Sequence, residues 1–228
     1  MDMTVQELAT IPCAGSHFRR ALCVASRHDW PFRHWLLRNV LPLRLATALL
    51  CLPFAPARIG ETLGKRETHN GLRVFFGEAE RRVHAGCAAV AEAFQDEATV
   101  GLLEDMTGTR LTGGFLRIEH CMDMDGFWLE PHTDIGAKLF TLLIYLSTHA
   151  DAADWGTDLM DPEGNVLGRT TGEFDTGMMF VPGPDTWHGF SRRPIRGVRR
   201  SLIVNYVKPE WRSRHELAFP DQPVTAAP

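Results

Sequence analysis

From Leu111 onward the chain changes texture, and that change constrains its fold more than any other feature. Short runs rich in Val, Ile, Phe and Tyr alternate with Gly, Pro and Asp across residues 114–121, 127–134, 139–147, 178–181 and 200–207. Runs this short, divided by turn-forming residues, are the strands of an antiparallel sandwich or barrel. Before that point the sequence reads mainly as helix. Residues 34–41 and 43–52 carry Leu and Ala at helical spacing, with Pro42 suited to open the second segment at its first turn. Residues 78–94 place Val83, Cys87, Val90 and Phe94 on one face, and residues 99–106 form another short helix that breaks at Thr107–Gly108. The expected class is α+β in a single domain. Residues 1–110 form a mainly helical support or lid, 111–211 the sheet core, and 212–228 a C-terminal tail.

Composition removes several function classes. The 228 residues, 44% of them hydrophobic, are enough for one domain with a substantial core. Lys and Arg number 24 against 28 Asp and Glu, so no basic excess is available to hold a phosphate backbone, and nucleic acid is not an expected partner. The most apolar stretch, residues 36–55, is interrupted by Arg38, Pro42, Arg44 and Pro53, which argues against a membrane span. The opening MDMTVQELAT has neither a basic start nor an apolar run after it. Five cysteines (Cys13, Cys23, Cys51, Cys87 and Cys121) at wide spacings with no CxxC suit reduced, buried thiols. A cytoplasmic protein, monomeric or homodimeric, is expected.

The chemistry sits in three short elements. Residues 127–134 read FWLEPHTD and end a strand-like run. Strand side chains alternate, so His132 and Asp134 point to the same side and can chelate a metal together. His188 lies in PDTWHG, just after the apolar run MMFV. Two imidazoles and one carboxylate occupy one face of an octahedron and leave the other face open, an arrangement suited to non-haem Fe(II). The third element, GVRRS, opens the apolar run LIVNYV. Arg199 and Ser201 share a face and offer a planar fork plus a hydroxyl to a carboxylate. Arg200 faces the other way, and because both faces of this strand are apolar further along, periodicity leaves both arginines open, with Arg199 the preferred register.

An HxD pair, a distal His and a GxRxS element in that order resemble the 2-oxoglutarate and Fe(II)-dependent oxygenases, in their prolyl-hydroxylase-like branch. The resemblance spans about residues 111–211, with LFTLLIYL of residues 139–146 similar to the strand that follows HxD. It implies a double-stranded β-helix, a jelly-roll core related to that of cupins, supported by the N-terminal helices. It implies that His132, Asp134 and His188 bind Fe(II), and that Arg199 and Ser201 bind the 5-carboxylate of 2-oxoglutarate, with O2 as the second cosubstrate. The reaction implied is oxidation of an unactivated C–H bond, coupled to decarboxylation of 2-oxoglutarate to succinate and CO2. Halogenating relatives replace the carboxylate of HxD with a small residue, so the intact HTD argues for hydroxylation, or a related desaturation or cyclisation. Many relatives carry a cosubstrate-contacting tyrosine on the strand before HxD, where this chain has Glu119, His120 and Cys121.

Around the site, Trp128, Trp187 and Phe190 are candidates to line a pocket or to pack the sheet. Lys138 either meets a substrate or cosubstrate carboxylate or stays solvated near its strand start. Arg66 and Arg73 lie in a polar run between helical regions that is either a loop reaching over the pocket, where they are candidate substrate contacts, or an ordinary exposed turn. Asp123 and Asp125 read as turn acids before Gly126, and residues 155–158 sit where relatives place a loop beside the substrate, though turn chemistry explains them equally well. The expected substrate is a small polar metabolite or biosynthetic intermediate. The alternatives are a peptidyl hydroxylase of the same superfamily, and a cupin-like metal protein of different chemistry, for which GxRxS would have no use.

Overall fold

The computed structural model describes residues 14–56, 63–65 and 73–227. Five α-helices precede most of the sheet: α1 (Ala14–Cys23), α2 (Leu43–Leu50), α3 (Glu78–Val83), α4 (Ala85–Gln95) and α5 (Glu97–Thr107). Pro42 caps α2, whose Leu45, Ala46 and Leu49 are buried. The side chain of Asp96 accepts the backbone N–H of Thr99 to start α5, and Gly108, in the left-handed region at φ 73°, ends it. Residues 78–94 are two helices, not the one their periodicity predicts. His84 takes an extended conformation, closing α3 and opening α4, and this turns Val83 out to solvent at 69% exposure.

The strands are β1 (Ser26–His28), β2 (His34–Arg38), β3 (Val74–Phe75), β4 (Phe115–Asp123), β5 (Leu129–His132), β6 (Lys138–Tyr145), β7 (Asp158–Met160), β8 (Val166–Arg169), β9 (Thr176–Phe180), β10 (His188–Phe190) and β11 (Arg199–Val207). They form two antiparallel sheets: a seven-stranded one in the order β1-β2-β9-β6-β11-β4-β3, and a four-stranded one in the order β5-β10-β7-β8. Residues 34–38 are thus strand, not the helix their leucine spacing suggests. β2 is buried on both faces between β1 and β9, and a two-sided apolar strand has no alternation to read.

The larger sheet divides its work between its faces. Leu116 and Ile118 of β4, Phe140, Leu142 and Ile144 of β6, and Leu202, Val204 and Tyr206 of β11 join the helices in one buried core with Phe18, Leu45, Val90, Phe94 and Leu103. The alternate residues look the other way, toward the smaller sheet, where Leu143, Tyr145, Leu159, Met178 and Phe180 form a second cluster. Polar residues interrupt that inner face, and the cavity lies there. Cys87 and Cys121 are buried as expected, but Cys23 and Cys51 are exposed because they sit at or just beyond helix C-termini. Among the described residues no helix is long and apolar enough to cross a membrane.

Candidate metal centre and the cavity around it

β5 and β10 are antiparallel neighbours in the smaller sheet, and their register sets His132 directly opposite His188. Residues so paired project from the same face, and the two rings stand 4.4 Å apart between centroids. Each ring is held by its own strand: Nδ1 of His132 lies 2.8 Å from the carbonyl oxygen of Glu130, and Nδ1 of His188 lies 2.9 Å from that of Thr186. A carbonyl oxygen only accepts, so both Nδ1 atoms carry the proton and both Nε2 lone pairs are left for a ligand bond. Asp134 completes the group, with one ligand atom from each residue within 4.8 Å of the others. The donor set of two neutral imidazoles and a carboxylate fits a divalent first-row metal such as Fe(II).

The Asp134 carboxylate is held at both oxygens. Lys138 Nζ donates to Oδ1 at 2.5 Å, and Thr141 Oγ1 donates to Oδ2 at 2.6 Å. Burial alone would raise this carboxyl group, yet the Lys138 ammonium, His188 and the two hydrogen bonds hold it well below the usual carboxylate range. Burial and then the neighbouring His132 push the His188 imidazole down to about 4, against the pull of Asp134. His188 is therefore held as a neutral base and Asp134 as an anion. Lys138 is not solvated, with only 18% of its side chain exposed, and the carboxylate it meets is that of Asp134 and not one of a substrate or cosubstrate.

A cavity of about 540 Å³ opens beside these three residues. Arg199, Ser201 and Thr157 line one end. Arg199 is 3% exposed, donates from Nε to the carbonyl oxygen of Trp155 at 2.6 Å, and pairs with Asp123 at 2.6 Å. Ser201 is 1% exposed, and its Oγ has no hydrogen-bond partner among the described residues. A buried hydroxyl with nothing to bond, beside a buried guanidinium in a cavity wall, is the signature of a site shaped for a polar ligand. Arg200 projects from the opposite face, toward His120 on the helical side of the sheet. Asp123 is no turn acid: it ends β4 opposite Arg199, where it is 6% exposed and serves as the arginine's counterion.

The other candidates fall in different places. Phe190 lines the cavity, whereas Trp128 and Trp187 are absent from its wall, and Trp128 stacks against the Arg192 guanidinium at 4.5 Å. Arg73 lines the cavity but is gripped by Glu119 through two hydrogen bonds, at 2.8 and 2.5 Å. Arg66 lies outside the described residues. Sequence reasoning passed over Arg117, Thr141, Asn205 and Glu216. Asn205 Nδ2 donates to Thr141 Oγ1 at 2.9 Å, and Arg117 donates to Asn205 Oδ1 at 3.1 Å, so a hydrogen-bonded chain runs from the far end of the cavity to Asp134. The only sequence signal for it is polarity at inward positions of otherwise apolar strands.

Two antiparallel sheets enclosing a His-Asp-His group make this a double-stranded β-helix with a candidate metal site. The fold is similar to that of solved prolyl hydroxylases. One from Trichoplax adhaerens, in complex with a hypoxia inducible factor oxygen degradation domain peptide fragment, matches at a TM-score of 0.53 and 13% identity, over 90% of this chain and 94% of that one. A Pseudomonas putida prolyl-4-hydroxylase matches at 0.52 and 15% identity, over 86% and 95%. A viral collagen prolyl hydroxylase from Paramecium Bursaria Chlorella virus-1, in a 2-oxoglutarate complex, matches at 0.50 and 12% identity, over 77% and 96%. No family model matches the sequence, and no curated protein matches it.

Proposed function

We propose that the protein is an Fe(II)- and 2-oxoglutarate-dependent oxygenase that hydroxylates a C–H bond of a small polar molecule. The observation that carries this reading is the pairing of two features in one cavity. Two neutral imidazoles and a carboxylate converge on one point, and a buried arginine with an unpartnered serine hydroxyl stands in the same wall. A hydrolytic or isomerising metal site needs the first and has no use for the second.

In this reading His132, Asp134 and His188 hold the metal, which activates O2 when bound with 2-oxoglutarate. The substrate C–H becomes C–OH with one oxygen atom of O2, the other enters succinate, and 2-oxoglutarate loses CO2. The chain's own residues bind and orient. Arg199 and Ser201 take the remote carboxylate, the guanidinium held in plane by Trp155 and Asp123 so that little rotamer freedom is lost on binding. Thr141 and Lys138 fix the rotation of the Asp134 carboxylate, and the two backbone carbonyls fix the rings. Phe190 and Leu143 supply apolar wall that limits water.

The test is to incubate purified protein with Fe(II), ascorbate and 2-oxoglutarate in air and measure succinate. Slow uncoupled turnover that depends on iron and is abolished in His188→Ala is expected. Stoichiometric metal binding with no succinate would overturn the assignment and favour a cupin-like protein of other chemistry.

A further inference from the structure

The end of the cavity away from Arg199 is built from charged side chains that neither the metal nor 2-oxoglutarate uses. On β4 and β11 the register sets Asp123 opposite Arg199, and Arg117 opposite Asn205. Six residues at ~3.4 Å each put the two ends ~20 Å apart along the strand, well beyond the reach of one cosubstrate. The Arg117 side chain is 2% exposed, and its guanidinium lies between the rings of Phe75 and Trp211, at 4.7 and 5.4 Å from their centroids. It donates Nε to Glu216 at 2.6 Å, one N–H to Asn205 and one to Glu119 at 3.1 Å. A guanidinium has five N–H groups, so two remain. Trp211 Nε1 is buried without a hydrogen-bond partner among the described residues, and Glu216, its side chain 12% exposed, bonds Arg117 through Oε2 and leaves Oε1 open to the cavity it lines.

Two N–H groups of Arg117, the Trp211 N–H and the second oxygen of Glu216 thus meet at one end of one cavity. A buried donor left without a partner, as Trp211 Nε1 is, is costly, and a ligand that carries both signs can engage it together with the Arg117 N–H groups and the Glu216 oxygen. We infer that this end is the substrate's head-group site and that it takes a free α-amino acid, the carboxylate on Arg117 and Trp211 Nε1 and the ammonium on Glu216. The inference rests on the oxygenase reading for its chemistry. A neutral peptide backbone supplies neither charge. The hydrogen-bonded chain of Asn205 and Thr141 separates Arg117 from Asp134, so the amino acid's side chain, not its α carbon, is the part extended toward the metal ligands.

The test is equilibrium dialysis of purified protein against an equimolar mixture of the proteinogenic L-amino acids, under nitrogen, with and without Fe(II) and 2-oxoglutarate. Retention of at least one free amino acid is expected, with the N-acetylated and the C-amidated mixtures retained at least tenfold more weakly. Glu216→Gln is expected to weaken retention tenfold or more. Should that variant fail to fold, the blocked mixtures still decide, because they leave the protein intact. No retention, equal retention of blocked and free mixtures, or binding of a proline-containing peptide in place of free amino acids would overturn the inference. Retention of a free amino acid with no succinate formed would sustain the head-group site and strike the oxygenase assignment alone.

Discussion

His120 shows how one side chain carries a cost that the fold tolerates. It lies on the helical face of β4, 3% exposed among Phe54 and Phe76, and neither ring nitrogen has a hydrogen-bond partner. Burial and then the Arg200 guanidinium push its imidazole down to about 4, against the Glu119 carboxylate. In the unfolded chain it titrates near 6.5. The unfolded state therefore binds more protons between these values, and stability is lost as pH falls from 6.5 toward 4. His120→Phe is expected to remove a loss on the order of 3 kcal/mol by pH 4, read as melting curves whose midpoints fall less steeply with pH than in the wild type; parallel curves would contradict it. Nearer the metal, Thr141→Val deletes the hydroxyl that holds Oδ2 of Asp134 while Asn205 keeps its bond to the Phe140 carbonyl oxygen. Metal affinity is expected to fall about tenfold, measured by competition with a chelator at unchanged melting temperature. The triad was legible because His132 ends a strand with Asp134 two residues further on, and His188 follows an apolar run. The chain from Arg117 through Asn205 to Thr141 was not, because it exists only once β4, β11 and β6 are in register.

At the scale of elements, the site depends on how closely β10 can approach β5 and β7. Gly189 sits between His188 and Phe190, and a Cβ there would lie 2.9 Å from the Leu129 carbonyl oxygen and 3.1 Å from that of Glu130. Both oxygens belong to β5 backbone, which cannot yield without moving His132. Gly189→Ala is expected to spread the two strands and weaken metal binding at least about tenfold, since misplaced ligands lose affinity steeply; a variant that binds metal as the wild type does would show that the strands have slack. The short elements also mark where sequence reasoning stops. β7 and β10 have three residues each and β8 four, too few for a period of two to register, whereas β4, β6 and β11 have eight or nine and stand out. β2 was misread for a different reason: buried on both faces, its leucines satisfy helical spacing as well as they do a strand.

For the molecule as a whole, helices and larger sheet share one core, so the metal site and the helical layer are expected to unfold together. Phe94 of α4 packs on Phe18 of α1 with ring centroids 4.6 Å apart, and its carbonyl oxygen accepts the buried Tyr206 hydroxyl of β11 at 2.5 Å. Phe94→Ala is expected to cost about 3–5 kcal/mol, with helical circular dichroism and tryptophan fluorescence lost in one coincident transition; two separated transitions would mean that the helices fold apart from the sheet. What the cavity holds is read out by anaerobic titration with Fe(II) and 2-oxoglutarate, watched for the visible charge-transfer band of a chelated keto acid. The wild type and Arg200→Ala are expected to develop the band alike, while Arg199→Ala needs about tenfold more 2-oxoglutarate or above, as loss of a charge-assisted hydrogen bond implies. Metal bound with no band at any concentration would contradict the account.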